Sequence, residues 1–332
     1  MLKLVLTLTS LLICTCESGF GQTPAELITL LKDGHAKLAL SEASHSQYRW
    51  TLKARSPAES KITKQDTSIS SSYGICYQVG EQRLLESGIL ENVGGVMKAD
   101  AKRGRICKSN KYTFAVQNND GNSGWALKFF DHKNPKEAFA EIVGGTLPAL
   151  FPLRTLADQW KIEDILANET CKISSVRSNS NGLIVADFFA KVGPDKSMIF
   201  KGTFTTSKDN DYVIIECQFT LTDSANTNSH YVTTITREVE KVGDQIRCRS
   251  YTSKGKNTNT GKIDFEEQYE FSDYSSDPVD SSQFELEYYG ITSPVDGIAP
   301  TRKRTTWPIW IAITAISFTL AMIFRWLSRR RK

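Results

Sequence analysis

Between Cys171 and Ser272 the chain runs through one strand-like segment after another. They lie near 183–192, 197–206, 211–222, 229–240, 244–252 and 262–272, with short polar turns between them. Segments of this length with period-two alternation read as β-strands. Turns this short cannot hold the crossover that a parallel pair needs, so the strands must join as an antiparallel meander. Val213, Ile215, Cys217, Phe219 and Leu221 make one clean apolar face.

The pattern begins earlier in the chain. Tyr48, Trp50, Leu52 and Ala54 alternate with Arg49, Thr51, Lys53 and Arg55, which marks a strand with one wet face. Tyr112, Phe114 and Val116 repeat it. The turn Asn118 to Gly124 then leads into Trp125, Leu127 and Phe129, so that pair reads as a hairpin. Helices are few. Thr23, Pro24 and Glu26 form a capping box with proline at the first helical position, and Leu27, Leu30, Leu31 and Leu38 follow as an apolar stripe. Asn134-Pro135 opens a second helix through Ala138, Phe139 and Ile142, and Leu156, Trp160 and Ile165 suggest a third. The expected class is mainly β (α+β): a large curved antiparallel sheet or half-barrel covered by a few helices. No long Pro/Gly/Ser linker and no fixed-period repeat divides it.

The two ends set an address. Lys3 followed by the apolar run Leu4 to Ile13, with Gly19 and Gly21 at small-residue positions, reads as a signal peptide over 1–21. Thr305 to Phe324 holds no charge and is long enough, at about 1.5 Å per residue, to cross a bilayer core of roughly 30 Å. Arg302, Lys303 and Arg304 precede this transmembrane helix as a basic juxtamembrane segment (301–304), and Arg325 to Lys332 form a short basic tail. The excess of basic residues after the helix places the tail in the cytoplasm. Residues 22–300 are then an exported β-rich domain on the extracytoplasmic (periplasmic) side of the cell membrane, held by a single pass.

Charge narrows the partners. The chain totals 41 Lys and Arg against 37 Asp and Glu. Nine of the basic residues and one acid lie in the two end segments, so the exported part is about −4. Nucleic-acid binding needs a concentrated basic face, which this domain does not offer. The bilayer itself is the expected partner of the tail.

The leading amphipathic helix, the long antiparallel sheet and the central helical insertion, over roughly residues 23–290, resemble the lipoprotein-carrier (LolA-like) fold. The stretches Asn110-Lys111-Tyr112-Thr113-Phe114 and Phe284-Glu285-Leu286-Glu287-Tyr288-Tyr289-Gly290 also resemble segments of membrane-anchored bacterial exported proteins. The resemblance implies an incomplete barrel closed by helices over an apolar cavity, and a lipid, acyl chain or lipoprotein as partner. The C-terminal anchor departs from the soluble carriers and is at odds with shuttling. The apolar strand faces nominate Tyr48, Trp50, Leu52, Tyr112, Phe114, Val116, Ile215 and Phe219 as cavity-lining residues; ordinary core packing is the competing assignment.

Reactive residues nominate no chemistry. The mature part keeps Cys76, Cys107, Cys171, Cys217 and Cys248, an odd number, so at least one thiol is free. Cys76–Cys107 is a candidate disulfide. Cys217 and Cys248 are expected as buried thiols separated by an intervening strand, about 9.5 Å apart and beyond disulfide reach. His35, His45, His132 and His230 show no ligand spacing. Asp264, Glu266 and Glu270 share one face of the last strand, which a solvated face explains more simply than a paired-carboxylate site. Glu267 lies on the apolar face and calls for a cationic partner or a cavity rim. No catalytic residue, metal ligand or cofactor is nominated. The function expected is a membrane-tethered, non-catalytic binding module for an apolar or lipidated partner; the alternative is a structural or interaction protein of the envelope with a fully packed core.

Overall fold

A computed structural model describes residues 22–292, except 57–67, 94–95, 120, 122–123, 144–145, 158–159, 180, 194–196 and 224–230. The signal peptide, the juxtamembrane segment, the transmembrane helix and the basic tail all lie outside the described residues. Among the described residues, no helix is long and apolar enough to cross a membrane.

The chain opens with α1 (Pro24–Ser44), capped as its sequence requires: the Thr23 hydroxyl accepts from the Glu26 amide, and the Glu26 carboxylate accepts from the Thr23 amide at 2.9 Å. Leu27, Leu31 and Leu38 are buried, while Leu30 only flanks the core. A first meander follows: β1 (Gln47–Ser56), β2 (Ser68–Val79), β3 (Gln82–Val93), β4 (Val96–Lys108), β5 (Thr113–Asn118) and β6 (Ala126–Asp131). A crossover then holds α2 (Pro135–Val143), α3 (Leu147–Leu150), the short pair β7 (Thr155–Ala157) and β8 (Trp160–Lys161), and α4 (Ile162–Ala167). The second meander is β9 (Lys172–Ser178), β10 (Leu183–Val192), β11 (Met198–Ser207), β12 (Ile214–Asp223), β13 (Tyr231–Val242), β14 (Gln245–Asn257) and β15 (Ile263–Ser275).

These thirteen long strands form one antiparallel sheet in the order β6-β5-β4-β3-β2-β1-β15-β14-β13-β12-β11-β10-β9. The two meanders join where the first strand pairs with the last, Trp50 opposite Phe271 and Leu52 opposite Tyr269. The sheet does not close into a barrel. Its edges are β6 and β9, and the crossover carries the chain from one edge to the other.

Each face has its own core. On the inner face, α1 and the crossover pack over Tyr48, Trp50, Cys76, Leu85, Phe188, Phe200, Phe204, Cys217, Phe219, Cys248, Tyr251, Tyr269 and Phe271. On the outer face, β3–β5 carry Leu84, Cys107, Tyr112, Phe114 and Val116 beneath a strap of two 3₁₀ turns, Ser281–Phe284 and Leu286–Tyr289. Phe284 and Leu286 are fully buried there, and the Tyr112 hydroxyl donates to the Glu285 carboxylate at 2.5 Å. The two short motifs noted in the sequence therefore pack on each other.

Two expectations change. The third helix is only α4; Leu156 lies in β7 and Trp160 in β8, because the amides of Arg154 and Thr155 are engaged in tight turns, that of Ile162 with the Arg154 carbonyl, and Thr155 and Ala157 in a short ladder instead. The Cys76–Cys107 bridge does not form. Cys76 pairs with Leu85 and Cys107 with Leu84, so the register puts the two sulfurs on opposite faces of the sheet. Both are free thiols. Cys217 and Cys248 are buried and free, with β13 between their strands, as expected.

Candidate functional site

The eight nominated cavity residues do not meet. Tyr112, Phe114 and Val116 belong to the outer core, across the sheet from the other five. Leu52 and Ile215 flank the inner core, while Tyr48, Trp50 and Phe219 lie within it, at 2–4% exposure. Trp50 covers Gly74 so closely that a Cβ there would meet the indole at 2.5 Å. Phe219 packs on Phe200 at 5.2 Å between ring centroids. The void lined by Leu156, Ile162, Phe188, Phe204 and Cys217 measures about 20 Å³, close to what one water occupies. Tyr48, Trp50 and Phe219 are thus closely packed by neighbouring side chains.

What holds the crossover down is a buried polar framework. The Tyr48 hydroxyl reaches the carbonyls of Ala149 at 2.7 Å and Leu150 at 2.9 Å, sharing its one proton between them. Glu42, near the end of α1, accepts from the Leu153 amide at 3.1 Å and from Arg154 Nε at 2.6 Å. Arg154 also donates to Glu163 at 2.7 Å. From β13, the buried Arg237 donates to the carbonyls of Pro152 at 2.9 Å, Ile214 at 2.8 Å and Thr155. Its charge also lies 5.2 Å from the Tyr251 ring centroid. A buried guanidinium is tolerable only with its donors occupied and dipoles turned toward it. Arg237 thus ties residues 152–155 to the sheet, and Glu42 ties them to α1.

Beside this framework a larger pocket stays open. It measures about 240 Å³ and lies between β3–β4 and the α2–α3 part of the crossover. Phe139, Ala140, Val143, Leu147 and Phe151 form its apolar floor. Its rim is cationic: Arg83, Lys108, Lys136, Arg154 and Lys161 stand against one carboxylate, Glu81. The strand register explains the convergence. Arg83 and Lys108 are paired neighbours with the parity of Leu85 and Ile106, so both point to the inner face. Lys136 comes from the first turn of α2, and Arg154 and Lys161 come from the crossover strands and turns. Three of the cations gather on one ring: Lys161 Nζ lies 3.9 Å, the Arg154 guanidinium 5.0 Å and the Arg83 guanidinium 5.8 Å from the Phe151 centroid. Arg154 is neutralised by Glu42 and Glu163. Burial lowers the pKa of Lys161 and of Arg83 from their ordinary values, and in Lys161 the Arg154 charge adds to the effect.

None of these rim residues was nominated from sequence. They span 79 positions between Arg83 and Lys161 in a domain of net negative charge, so no basic cluster shows along the chain. One signal was available: Arg154 directly follows the uncharged apolar run 147–153, where a solvated cation has no obvious place.

The last strand's carboxylates do not converge on a site. Glu266 pairs with Lys254 at 2.8 Å, Glu270 with Lys53 at 3.6 Å, and Asp264 accepts from Asn257 at 3.1 Å. Among the described residues, no group of three or more His, Cys, Asp or Glu is placed to hold a metal ion.

No protein-family model matches the chain, and no curated protein matches it. Among solved structures it is similar to a DUF1329 family protein from Desulfovibrio piger, at 8% identity over 81% of this chain and 100% of that one, with a TM-score of 0.45. Weaker likenesses are a 12:0-ACP thioesterase from Umbellularia californica (10% identity, 74% and 82% covered, TM-score 0.10) and an N-terminal dehydratase from a difficidin assembly line (11%, 79% and 88%, TM-score 0.13). At these scores none of the three carries an argument about this chain.

Proposed function

We propose that the chain is an exported, membrane-tethered binding module without catalytic activity, taking an apolar or lipidated partner between its sheet and its crossover. In this reading the domain is LolA-like, residues 22–300 lie on the extracytoplasmic side, and 305–324 form the tether. The observation that carries it is the open pocket floored by Phe139, Ala140, Val143, Leu147 and Phe151. Ligand sites are typically concave, largely apolar and fixed by a few polar groups. The Glu42 and Arg237 framework supports the reading, because it holds one wall of the pocket in place, with Arg154 shared between framework and rim.

The test is binding of a fluorescent fatty acid to the protein, compared with Ala140→Trp. Ala140 is exposed at the pocket, so an indole there fills the opening without overpacking the core. Saturable binding that the substitution removes is the expected result; no binding by the unmodified chain sinks the reading. The second reading is a structural protein of the cell envelope with a packed core and no ligand. The close packing around Trp50 and Phe219 favours it, and it takes over if no acyl probe binds.

A further inference from the structure

We infer that the pocket selects an anionic amphiphile: its rim holds a phosphate or carboxylate head, and its floor takes the first few carbons of the attached chain. This rests on the binding-module reading and specifies its ligand.

The argument starts from charge. Of the five rim cations, Arg154 is satisfied by two carboxylates, and Lys108 has only the 91%-exposed Glu81 at 4.0 Å. Arg83, Lys136 and Lys161 make no ion pair among the described residues. Glu42 acts on Arg83 and Lys161, and Glu163 and Asp164 on Lys161, only through space, so an anion between the rim cations adds the direct pairing they lack. The donors are also unspent. Arg83 uses Nη1 on the carbonyls of Gly80 and Gln82, while its buried Nε has no hydrogen-bond partner. A buried donor left unsatisfied costs roughly 1–3 kcal/mol, and charge-assisted acceptance by an anionic oxygen is the strongest way to satisfy a guanidinium.

Size settles the rest of the ligand. About 240 Å³ falls below the roughly 300–1,000 Å³ of pockets that enclose drug-sized molecules. A whole two-chain lipid does not fit. A compact head with the start of one chain does, with the remaining chain leaving along the apolar floor. A free inorganic anion would use the rim and leave that floor wet. The shared chemistry is thus an anionic head on an acyl or alkyl chain, whether a fatty acid or a lipid phosphate supplies it.

The experiment uses the full chain in phosphatidylcholine nanodiscs, with empty nanodiscs as the blank. Radiolabelled dodecyl phosphate, dodecanoate and the neutral dodecanol are titrated in parallel, with inorganic phosphate as a fourth arm. Lys136→Glu is an exposed change that leaves the core untouched; Lys161→Met removes the cation over Phe151, and Lys161→Arg should restore it. The expected result is binding of both anionic ligands about tenfold or more tighter than dodecanol, weakened about tenfold by Lys136→Glu and by Lys161→Met. Equal binding of all three chains, insensitive to those substitutions but lost in Ala140→Trp, overturns anion selection and leaves the apolar reading standing. Inorganic phosphate binding as tightly as dodecyl phosphate overturns the amphiphile. No binding in any arm removes the binding-module reading itself.

Discussion

His35 shows how a single side chain can tie stability to pH. It lies on the buried face of α1 with neither ring nitrogen hydrogen-bonded, and burial, with the Arg237 and Arg154 charges, holds its pKa down to about 3 against the usual 6.5. His45 is likewise lowered, to about 4, by burial and by Arg247. The folded protein keeps both rings neutral, while the unfolded chain takes up protons below about pH 6.5. Stability is therefore fully present above that pH and falls as pH drops toward 4 and then 3, for His35 by about 1.4 kcal/mol per pH unit. Urea unfolding followed by tryptophan fluorescence between pH 7 and 4 should show this fall. His35→Leu should flatten it and raise stability at neutral pH by about 1–2 kcal/mol, since it removes two orphaned polar atoms; a variant with the same pH slope as the parent would show that His35 is not the source. Arg237→Met should act oppositely, stranding the carbonyls of Pro152, Thr155 and Ile214 at a loss of about 3 kcal/mol or more. The thiols supply a third check. Burial raises Cys76 to about 11 and Cys217 and Cys248 to about 12, and pushes Cys107 and the half-buried Cys171 up as well. Native protein should resist alkylation at neutral pH, and all five should label in denaturant without reductant; a peptide joining any two would contradict the register.

The strap is the element with the most to lose from a small change. Phe284→Ala should destabilise by about 3–5 kcal/mol, because the ring is fully buried among Leu84, Cys107 and Phe114. Tyr112→Phe, which loses the Glu285 and Leu286 contacts, should cost about 1–2 kcal/mol. Thermal melts of the two variants would rank them, and equal losses would mean that the strap is held by its polar contacts rather than by its rings. The strap also explains which strands were legible. β1 and β10–β15 have one wet face and so alternate plainly. β3 does not: Leu84 and Leu85 are both fully buried, one on each face, because the strap covers one side and the crossover the other. β2 enters through a run of serines and β4 carries charges at six of its thirteen positions, which obscures their alternation. The same two-sided burial misdirected the candidate site. Phe114 and Phe219 read alike along their own strands, and only the pairing of β3 with β4 and of β4 with β5 reveals that they face opposite ways. Fold class and most strands were thus readable from local pattern, whereas the basic pocket depends on a register that joins residues far apart in sequence.

For the whole molecule, the proposed topology has a direct check. An alkaline phosphatase fusion after Gly290 should be active and one after Lys332 inactive; the reverse pattern would place the domain on the cytoplasmic side. Deleting residues 305–332 should release the domain in soluble form. The pairing of β1 with β15 bears on how such a chain reaches its final shape. Gln47 sits opposite Ser275, so the seam joins segments more than two hundred residues apart, and each meander can assemble from neighbours before it exists. Loop closure over that distance is slow, and until it happens both β1 and β15 present bare edges. β15 thus emerges long after the β1 strand it must pair with, and the interval between is when the chain is most open to mispairing with another copy. Substitutions at Trp50 or Phe271 should accordingly speed unfolding while leaving the main folding phase nearly unchanged. In the proposed exported topology, this seam can close only after β15 has crossed the membrane, so the sheet becomes continuous on the far side.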